Sequence, residues 1–202
     1  MQILPANDPA TIETALEILR AGGIVAHATE TCYGLACDMR NEGAVKKLFL
    51  IKNRPENMPV SALFPSVEEA KKYVEWNEEA ENLAREHLPG PLTLILNMRH
   101  DAPTLLYPIS TSPTLGLRIS SHPLAQQLVT SFGFPISTTS ANLHGQPNPY
   151  STDDSIAQFQ DRGAKPDLIL DSGTLPQNPP STVIDLTKGG EVLRKGSVGK
   201  NH

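Results

Sequence analysis

Small hydroxyl side chains and basic residues occur together at several points of the sequence, in combinations that could bind an anion. The stretch Ala28-Thr-Glu-Thr-Cys-Tyr-Gly-Leu directly follows a predicted buried strand. Hydroxyls at the carboxyl end of a strand commonly face a ligand crevice in α/β folds, but a self-contained polar turn has the same composition. Lys52-Asn-Arg-Pro places two cations after a helix, where they can bind phosphate oxygens or complement the helix C-terminus.

The second half of the chain repeats this combination. Arg118 lies in an otherwise apolar strand, and such a guanidinium needs an anionic partner, either a carboxylate of the protein or one of a substrate. Thr138-Thr-Ser-Ala-Asn presents hydroxyls and an amide that suit phosphate or adenine, or that bond to one another. Pro180-Ser-Thr-Val-Ile-Asp and Leu193-Arg-Lys-Gly carry the same residue types, although an ordinary exposed hairpin would also explain them.

The chemistry that these residues favour is transfer at a phosphate group. The cations are Lys52, Arg54, Arg118 and Arg194, and the sequence shows no Ser-His-Asp or Cys-His order and no obvious carboxylate pair. Phosphate transfer depends mainly on positioning and charge stabilisation, which cations and hydroxyls supply. A P-loop is excluded because no G-x-x-x-x-G-K-[ST] occurs, and no G-x-G-x-x-G follows the first predicted strand.

The composition is that of one globular domain. The chain has 202 residues, of which 39% are apolar and 19% charged, and its formal net charge is −5. Net acidity argues against a general nucleic-acid binder, though not against a local basic cleft. We see no secretory leader and no bilayer-spanning run, and we expect Cys32 and Cys37 to be free thiols in a reducing cytosol. The histidines lack ligand spacing, so we expect no protein metal site.

Alternating helical and extended patterns predict the elements that position these residues. Asp8 with Pro9 marks the start of a first helix, Asn41 that of a second, and Ser66 with Glu69 forms a capping-box pattern before a third. Further helices are predicted over 77–87, 123–131 and 153–160, and strands over 23–26, 60–64, 93–98, 115–119, 135–138, 167–170, 182–186 and 191–194. This order predicts an α/β fold with a mixed, twisted sheet, a final hairpin turning at Gly189-Gly190, one domain over 1–198 and a tail over 199–202.

The motifs, in this order, resemble those of the YrdC-type threonylcarbamoyl-adenylate synthases. The matching segments cover nearly the whole chain, and they are Thr29-Glu-Thr-Cys-Tyr-Gly-Leu, Lys52-Asn-Arg-Pro, Pro89-Gly-Pro-Leu-Thr-Leu-Ile-Leu, Gly116-Leu-Arg, Thr139-Ser-Ala-Asn, Pro180-Ser-Thr-Val-Ile-Asp and Arg194-Lys-Gly. Any single segment would be weak, whereas the ordered set is highly specific. The resemblance implies a twisted open mixed sheet, flanked by helices, around a concave and positively charged cavity.

The resemblance also implies a reaction. L-Threonine, bicarbonate or CO2, and ATP would give threonylcarbamoyl-AMP and pyrophosphate, with Mg²⁺ accompanying the triphosphate. The product would serve the N6-threonylcarbamoyladenosine modification of tRNA. The expected partners are the proteins of a tRNA-modifying transferase complex, with weak binding of tRNA or RNA, no membrane, and a cytoplasmic location.

Carried over position by position, the resemblance assigns two groups of ligands. The threonine site would comprise Thr31, Arg118, Thr138 and Ser181, with Arg118 gripping the carboxylate. The ATP site would comprise Lys52, Arg54, Thr114, Ser140, Asn142, Asn148 and Arg194. Catalysis would fall to Lys52, Arg54 and Arg194, which would offset the charge on the phosphates. This assignment requires that the cations and hydroxyls converge on one pocket.

Four positions depart from the family's pattern. Ala28 stands where a proline usually precedes the first motif, Met58 where an Asn or Lys approaches the nucleotide, Leu63 where longer members can have a threonine-contacting His, and His144 where a Ser is common. Three alternatives stay open. They are a paralogue of the same fold with another substrate, a non-catalytic module that binds structured RNA, and a carbamoyl or acyl transferase domain of a larger protein.

Overall fold

The computed structural model describes residues 1–56, 58–103 and 113–199. The helices in these ranges are α1 (Pro9–Arg20), α2 (Glu42–Lys52), α3 (Val67–Ala70), α4 (Glu78–His87), α5 (Pro123–Phe132) and α6 (Thr152–Phe159), with a 3-10 turn at Leu186–Lys188. The strands are β1 (Gln2–Pro5), β2 (Val25–Ala28), β3 (Tyr33–Ala36), β4 (Ser61–Leu63), β5 (Leu92–Asn97), β6 (Thr114–Arg118), β7 (Ile136–Ser140), β8 (Leu168–Asp171), β9 (Thr182–Asp185) and β10 (Glu191–Arg194). The predicted tail beyond residue 199 lies outside the described residues.

The strands of the described ranges join one open mixed sheet, in the order β1-β8-β2-β3-β7-β4-β6-β5-β9-β10. The pairs β2–β3, β3–β7, β4–β7, β5–β6 and β9–β10 are antiparallel. The pairs β1–β8, β2–β8, β4–β6 and β5–β9 are parallel. The predicted α/β class, with a mixed sheet and flanking helices, is confirmed. No helix within these ranges is long and apolar enough to cross a membrane.

Local sequence signals set the helix ends. The Asp8 carboxylate accepts a hydrogen bond from the Ala10 N–H at 2.9 Å, and the Asn41 side chain accepts one from the Ala44 N–H at 3.1 Å, so both predicted N-caps are confirmed. Helix α2 ends at Lys52 and is capped by Asn53. The φ of Asn53 is 50°, in the left-handed region, which asparagine adopts more readily than most residues. The capped helix therefore stops before Arg54.

Apolar side chains pack on both faces of the sheet. Successive strand residues alternate between two buried clusters, since side chains along a strand point to opposite faces: Ala26 belongs to one cluster and Val25 to the other. Helix α2 contributes Leu48 to the first cluster, whereas α1 contributes Leu16 and α5 contributes Leu128 to the second. Each fully buried leucine of this kind contributes about 1.5–3 kcal/mol to stability.

The structure corrects the predicted elements in four places. Strand β1 was not predicted, and it lies at an exposed edge of the sheet. Strand β3 was not predicted either, because all four of its residues are buried and give no alternation. Helix α3 has only four residues, and the Glu69 carboxylate pairs with Lys72 at 2.5 Å. The final hairpin turns through Leu186–Lys188 as well as the two predicted glycines.

The chain after β10 packs tightly against β9. The Thr182 hydroxyl accepts hydrogen bonds from the N–H groups of Gly196 and Val198, at 3.1 and 3.0 Å, and donates one to the Val198 carbonyl at 2.6 Å. A Cβ atom added to Gly196 would lie 2.0 Å from the Pro180 carbonyl oxygen. Only glycine therefore allows this approach, which holds the end of β10 beside Ser181.

We predict that Gly196→Ala lowers the free energy of unfolding by about 1–3 kcal/mol, because backbone atoms must separate to admit the methyl group. Gly163→Ala is the matched control, since a Cβ atom there meets nothing within 4 Å. We expect the control to change stability by less than about 0.5 kcal/mol. Urea denaturation measures both, and equal stability of the two variants would contradict the close packing of Gly196.

Candidate active site

A cavity of about 180 Å³ opens where the loop after β2 meets residues of β4, β6, β7, β9 and β10. Eight of the residues that the sequence analysis assigned to the site line it: Thr31, Arg54, Arg118, Thr138, Ser140, Asn148, Ser181 and Arg194. Three other assigned residues, Lys52, Thr114 and Asn142, are not part of the lining among the described residues. The structure thus brings most, but not all, of the assigned side chains together.

Three arginines reach the cavity from different parts of the chain. Arg54 follows α2, Arg118 ends β6 and Arg194 ends β10. Burial, followed by the charge of Arg118, lowers the pKa of Arg194 below its ordinary value. The guanidinium groups of Arg118 and Arg194 thus interact electrostatically, and Arg54 is the third arginine of the cavity wall.

Arg118 has a carboxylate partner within the protein. Its Nη2 donates to Glu30 Oε1 at 2.8 Å and to Thr31 Oγ1 at 2.9 Å. The Ser120 hydroxyl donates to the other Glu30 oxygen. Burial alone would raise the pKa of Glu30, but the charge of Arg118 and these hydrogen bonds lower it overall. The sequence left open whether Arg118 pairs with a carboxylate of the protein or with one of a substrate. The structure contains the protein carboxylate, that of Glu30.

The other two arginines are anchored by backbone carbonyls. Arg54 Nη2 donates to the Pro59 carbonyl at 2.7 Å. Arg194 Nε donates to the Ser181 carbonyl at 2.9 Å, and its Nη2 donates to the Ser181 hydroxyl at 2.8 Å. Within the described residues, Arg54 Nε and Arg118 Nε are buried without a hydrogen-bond partner. Buried donors of this kind are costly unless a ligand satisfies them.

Lys52 lies beneath the turn that follows β7. It is 3% exposed, and its Nζ donates to the Ser140 carbonyl at 2.5 Å and to both oxygens of Asn142, at 3.0 Å for the carbonyl and 3.1 Å for the side chain. The Asn142 Oδ1 also accepts from the Ser140 hydroxyl at 2.7 Å. Burial, followed by the charge of Arg54, lowers the pKa of Lys52 to about 7. Lys52 and Asn142 therefore fix the backbone that presents Ser140 to the cavity.

The turn between β2 and β3 is organised by one hydroxyl. Thr29 Oγ1 donates to the Cys32 carbonyl at 2.7 Å, accepts from the N–H groups of Thr31 and Cys32 at 3.2 Å each, and lies 3.0 Å from the Thr31 hydroxyl. Ala28, in the place of the family's usual proline, pairs with Tyr33 at the base of this turn. The internal bonds hold Thr31 beside Arg118 without that proline.

Several lining residues were not assigned from the sequence. Thr29 and Cys32 line the cavity, as do Ser61 and Thr93, and the Thr93 hydroxyl lies 3.0 Å from that of Ser181. Glu30 was missed as the partner of Arg118, although it lies in the first hydroxyl-rich motif. That motif could have indicated Thr29 and Glu30, whereas Ser61 and Thr93 lie in strands whose sequences give no such signal.

Three further positions that depart from the family's pattern, and the assigned residue Thr114, lie away from the cavity lining. Leu63 is fully buried in an apolar cluster, and Met58 packs partly buried against the other cluster. Thr114 begins β6, about 13 Å along the strand from Arg118 at about 3.3 Å per residue. The backbone N–H of His144 donates to the Lys52 carbonyl at 2.8 Å. None of these four residues lines the cavity in the described ranges.

The arrangement is suited to binding anions. Guanidinium groups, hydroxyls and the Asn148 amide supply many hydrogen-bond donors to the lining. Among the described residues, no group of three or more His, Cys, Asp or Glu side chains could hold a metal ion. The chemistry that such a wall supports is the binding and stabilisation of carboxylates and phosphates.

Comparison with known proteins identifies relatives along almost the whole sequence. The Sua5/YciO/YrdC family model, described as "Telomere recombination", matches residues 17–196. The chain is 31% identical to the threonylcarbamoyl-AMP synthase of Vibrio cholerae, over 92% of this chain and 97% of that relative. It is 36% identical to the threonylcarbamoyl-AMP synthase of Pyrococcus abyssi over 90% of its own length, but it spans only 52% of that relative.

Solved structures agree with these matches. The crystal structure of P. abyssi Sua5 complexed with L-threonine has a TM-score of 0.86 and 34% identity, covering 98% of this chain and 57% of that chain. The crystal structure of E. coli YciO has a TM-score of 0.83 and 28% identity, covering 99% and 96%. Since the family model matches most of the sequence and the V. cholerae relative is matched over nearly its full length, the chain belongs to the Sua5/YciO/YrdC family.

Proposed function

We propose that this chain is a threonylcarbamoyl-AMP synthase, an ATP-using nucleotidyltransferase. The observation that carries the proposal is the convergence of Arg54, Arg118 and Arg194, with hydroxyls between them, on one cavity. The relative of this name in V. cholerae matches 92% of the chain and is itself covered over 97% of its length, whereas the P. abyssi relative is covered over 52% of its length. A structure of the P. abyssi relative contains L-threonine.

The reaction combines three substrates in two bond-forming steps. The threonine amine adds to the carbon of CO2, supplied by bicarbonate, and loses a proton to give a carbamate. A carbamate oxygen then attacks the α-phosphorus of ATP, and the bond to the bridging oxygen of the β-phosphate breaks. Pyrophosphate leaves, and threonylcarbamoyl-AMP remains. Both steps create or move negative charge, which fixed guanidinium groups stabilise.

The threonine side of the cavity is assigned to Arg118, Thr31, Thr138 and Ser181. Arg118 lines the cavity and is held by Glu30 and Thr31 through Nη2, so we assign its guanidinium group to a substrate carboxylate. A charge-assisted bond of this kind is about twice as strong as a neutral one. Thr31 and Ser181 are each bonded to one of the arginines, which places their hydroxyls beside the expected carboxylate.

The nucleotide side is assigned to Arg54, Arg194, Ser140 and Asn148, which line the cavity. Lys52 and Asn142 act on this side through the turn that they hold, because every hydrogen-bond donor of the Lys52 ammonium already has a protein acceptor. Thr114 stays an assignment that rests on the resemblance alone. Its position at the far end of β6 makes it the weakest member of the group.

Mg²⁺ would enter with the triphosphate rather than in a cage of protein ligands. Mg²⁺ prefers carboxylates, water and phosphate oxygens, and the described lining offers it no carboxylate. Glu30, whose neighbours Thr29 and Thr31 line the cavity, already bonds Arg118 and Ser120. The protein's own contribution to phosphate binding is therefore made by its cations and hydroxyls.

The chemistry of the product indicates which partner proteins the enzyme needs. An acyl phosphate mixed anhydride is labile, so a transferase must take it up soon after release. We therefore propose that the chain works in the cytoplasm with the proteins of a tRNA-modifying transferase complex. Weak binding of tRNA or RNA through the basic cavity stays part of the proposal.

Pyrophosphate release gives the direct test of the activity. We predict turnover with ATP, bicarbonate and L-threonine, loss of turnover without bicarbonate, and a fall of about tenfold or more with L-serine, because one methyl contact contributes about 1–3 kcal/mol. Equal turnover with serine, or none with threonine, would favour the paralogue. An RNA-binding module would instead bind RNA with a steep salt dependence and no response to threonine.

We predict that Arg118→Ala weakens threonine binding about 10- to 150-fold and ATP binding only slightly, because a hydrogen bond to a charged group contributes about 1.5–3 kcal/mol. Isothermal titration calorimetry measures both affinities. Arg194→Ala is the matched variant, and we expect it to weaken ATP more than threonine. Arg118→Lys keeps a charge beside Glu30 and controls for loss of folding. Equal weakening of both ligands by Arg118→Ala would contradict its assigned role.

Lys52 should make stability depend on pH. Its folded-state pKa of about 7 lies below the unfolded value of about 10.4, so the unfolded chain binds the extra proton between these values. The contribution of Lys52 to the free energy of unfolding therefore rises with pH between these two pKa values, by up to about 1.4 kcal/mol per pH unit. Below about pH 7 the folded protein carries the full cost of burying the ammonium.

We define the stability gap as the free energy of unfolding of the wild type minus that of Lys52→Met, and we predict that it rises between about pH 7 and pH 8.5. Lys46→Met, on the same helix, is the control, because the Lys46 side chain is 51% exposed. Urea denaturation at each pH measures the gap. A gap that stays constant would mean that Lys52 keeps its proton, held by the three acceptors around it.

A further inference from the structure

The cavity offers no counter-charge to an ammonium group. Arg54, Arg118 and Arg194 are part of its wall, and no Asp or Glu is among the lining residues that the structure describes. The segments outside the described ranges, 57, 104–112 and 200–202, contain no Asp or Glu in the sequence. A zwitterionic amino acid entering this cavity would therefore find donors for its carboxylate, but no carboxylate for its ammonium.

Glu30 lies between the lining residues Thr29 and Thr31 in the sequence, and its carboxylate is already engaged. One of its oxygens accepts from Arg118 Nη2 at 2.8 Å, and the other accepts from the Ser120 hydroxyl. The Glu30 side chain is 14% exposed, and its backbone carbonyl accepts from Asn178 Nδ2 at 2.8 Å. Glu30 is therefore already paired with a guanidinium group, and it cancels part of one positive charge rather than adding a free negative charge to the wall.

Lys52, which lies behind the cavity wall and not in it, is an amine of the protein on which burial and a nearby guanidinium act together. Burial, with the charge of Arg54, lowers the pKa of the Lys52 ammonium to about 7 even though three oxygens surround it. A substrate amine beside Arg118 would face the same two effects, loss of water and like charge. The hydroxyls of the lining can accept hydrogen bonds from it, but none of them carries a negative charge.

We propose that the cavity binds threonine with its amine neutral, so that the ammonium loses its proton to solvent on binding. The inference rests on the proposed function and deepens it. A neutral amine carries the lone pair that forms the N–C bond to CO2, so substrate binding itself prepares the nucleophile without a protein base. The carbamate that follows is an anion, and the same arginines stabilise it.

Other titratable groups face this region and must be separated from the substrate. Lys52 and Arg54 approach from α2 and its end, and Cys32, whose pKa burial raises, lines the cavity. His27 lies behind Gly34, with its Nε2 3.9 Å from a Cβ atom placed on that glycine, and burial lowers its pKa to about 4. His122 lies near Glu30, which raises its pKa against a larger lowering by burial.

The test measures the dissociation constant of L-threonine for the full chain between about pH 6.5 and pH 8, without ATP or bicarbonate. If only the neutral amine binds, affinity should rise about tenfold per pH unit, because apparent affinity scales with the binding-competent fraction. The α-hydroxy acid in which a hydroxyl replaces the amine is the control. It shares every titration of the protein and has no amine, so we expect its affinity to change less than about twofold.

Calorimetry in buffers of different ionisation enthalpy counts the protons. We expect release of about one proton per threonine at about pH 7, and none with the hydroxy acid. Ser61 lines the cavity and lies opposite Thr138 in the β4–β7 pair, so the two side chains share one face of the sheet. Ser61→Asp places a carboxylate there and should abolish the release, whereas Ser61→Asn, of similar size but uncharged, should keep it. Threonine that binds without pH dependence or proton release would overturn this inference alone, whereas threonine that does not bind at all would refute the proposed function.

Discussion

Three guanidinium groups of like charge face one partly buried cavity, and the rest of the site depends on how they are kept there. Each is tied to the protein by an acceptor: Arg118 to Glu30, Arg54 to the Pro59 carbonyl and Arg194 to Ser181. Without these bonds, repulsion and the loss of hydration would favour turning the side chains towards solvent. The bonds leave the charges in place before any ligand arrives, which is the condition for electrostatic stabilisation of anions.

Most of the oxygens that hold the three arginines are uncharged, so they cancel little of the guanidinium charge. Two of the three arginines bond to neutral oxygens, and the walls between them carry hydroxyls, which donate or accept without a net charge. Glu30 is the exception, and Ser120 and Asn178 hold it against Arg118. The described lining therefore contains three guanidinium groups and no carboxylate, while these hydrogen bonds hold each arginine in place.

A second layer of contacts gives the site its rigidity. Lys52 holds the turn after β7 by three hydrogen bonds, Thr29 closes the turn after β2, and Thr182 clamps the segment that follows β10. Each of these residues is buried and acts on a different strand connection of the sheet. Because catalysis by positioning requires small displacements, residues that never touch a substrate can still affect turnover through these turns.

The sequence by itself determined the fold class, most helix ends and the ordered motifs that indicated the family. These depend on local signals: Asp8 and Asn41 cap helices through bonds two or three residues away, and each motif is a short contiguous stretch of the chain. Only the tertiary structure decided that β3 is a strand, that Lys52 faces a turn rather than the cavity, and that Arg118 pairs with Glu30. The last two join residues about 90 apart in sequence. Such pairings follow from the order of strands in the sheet, and no local pattern encodes that order.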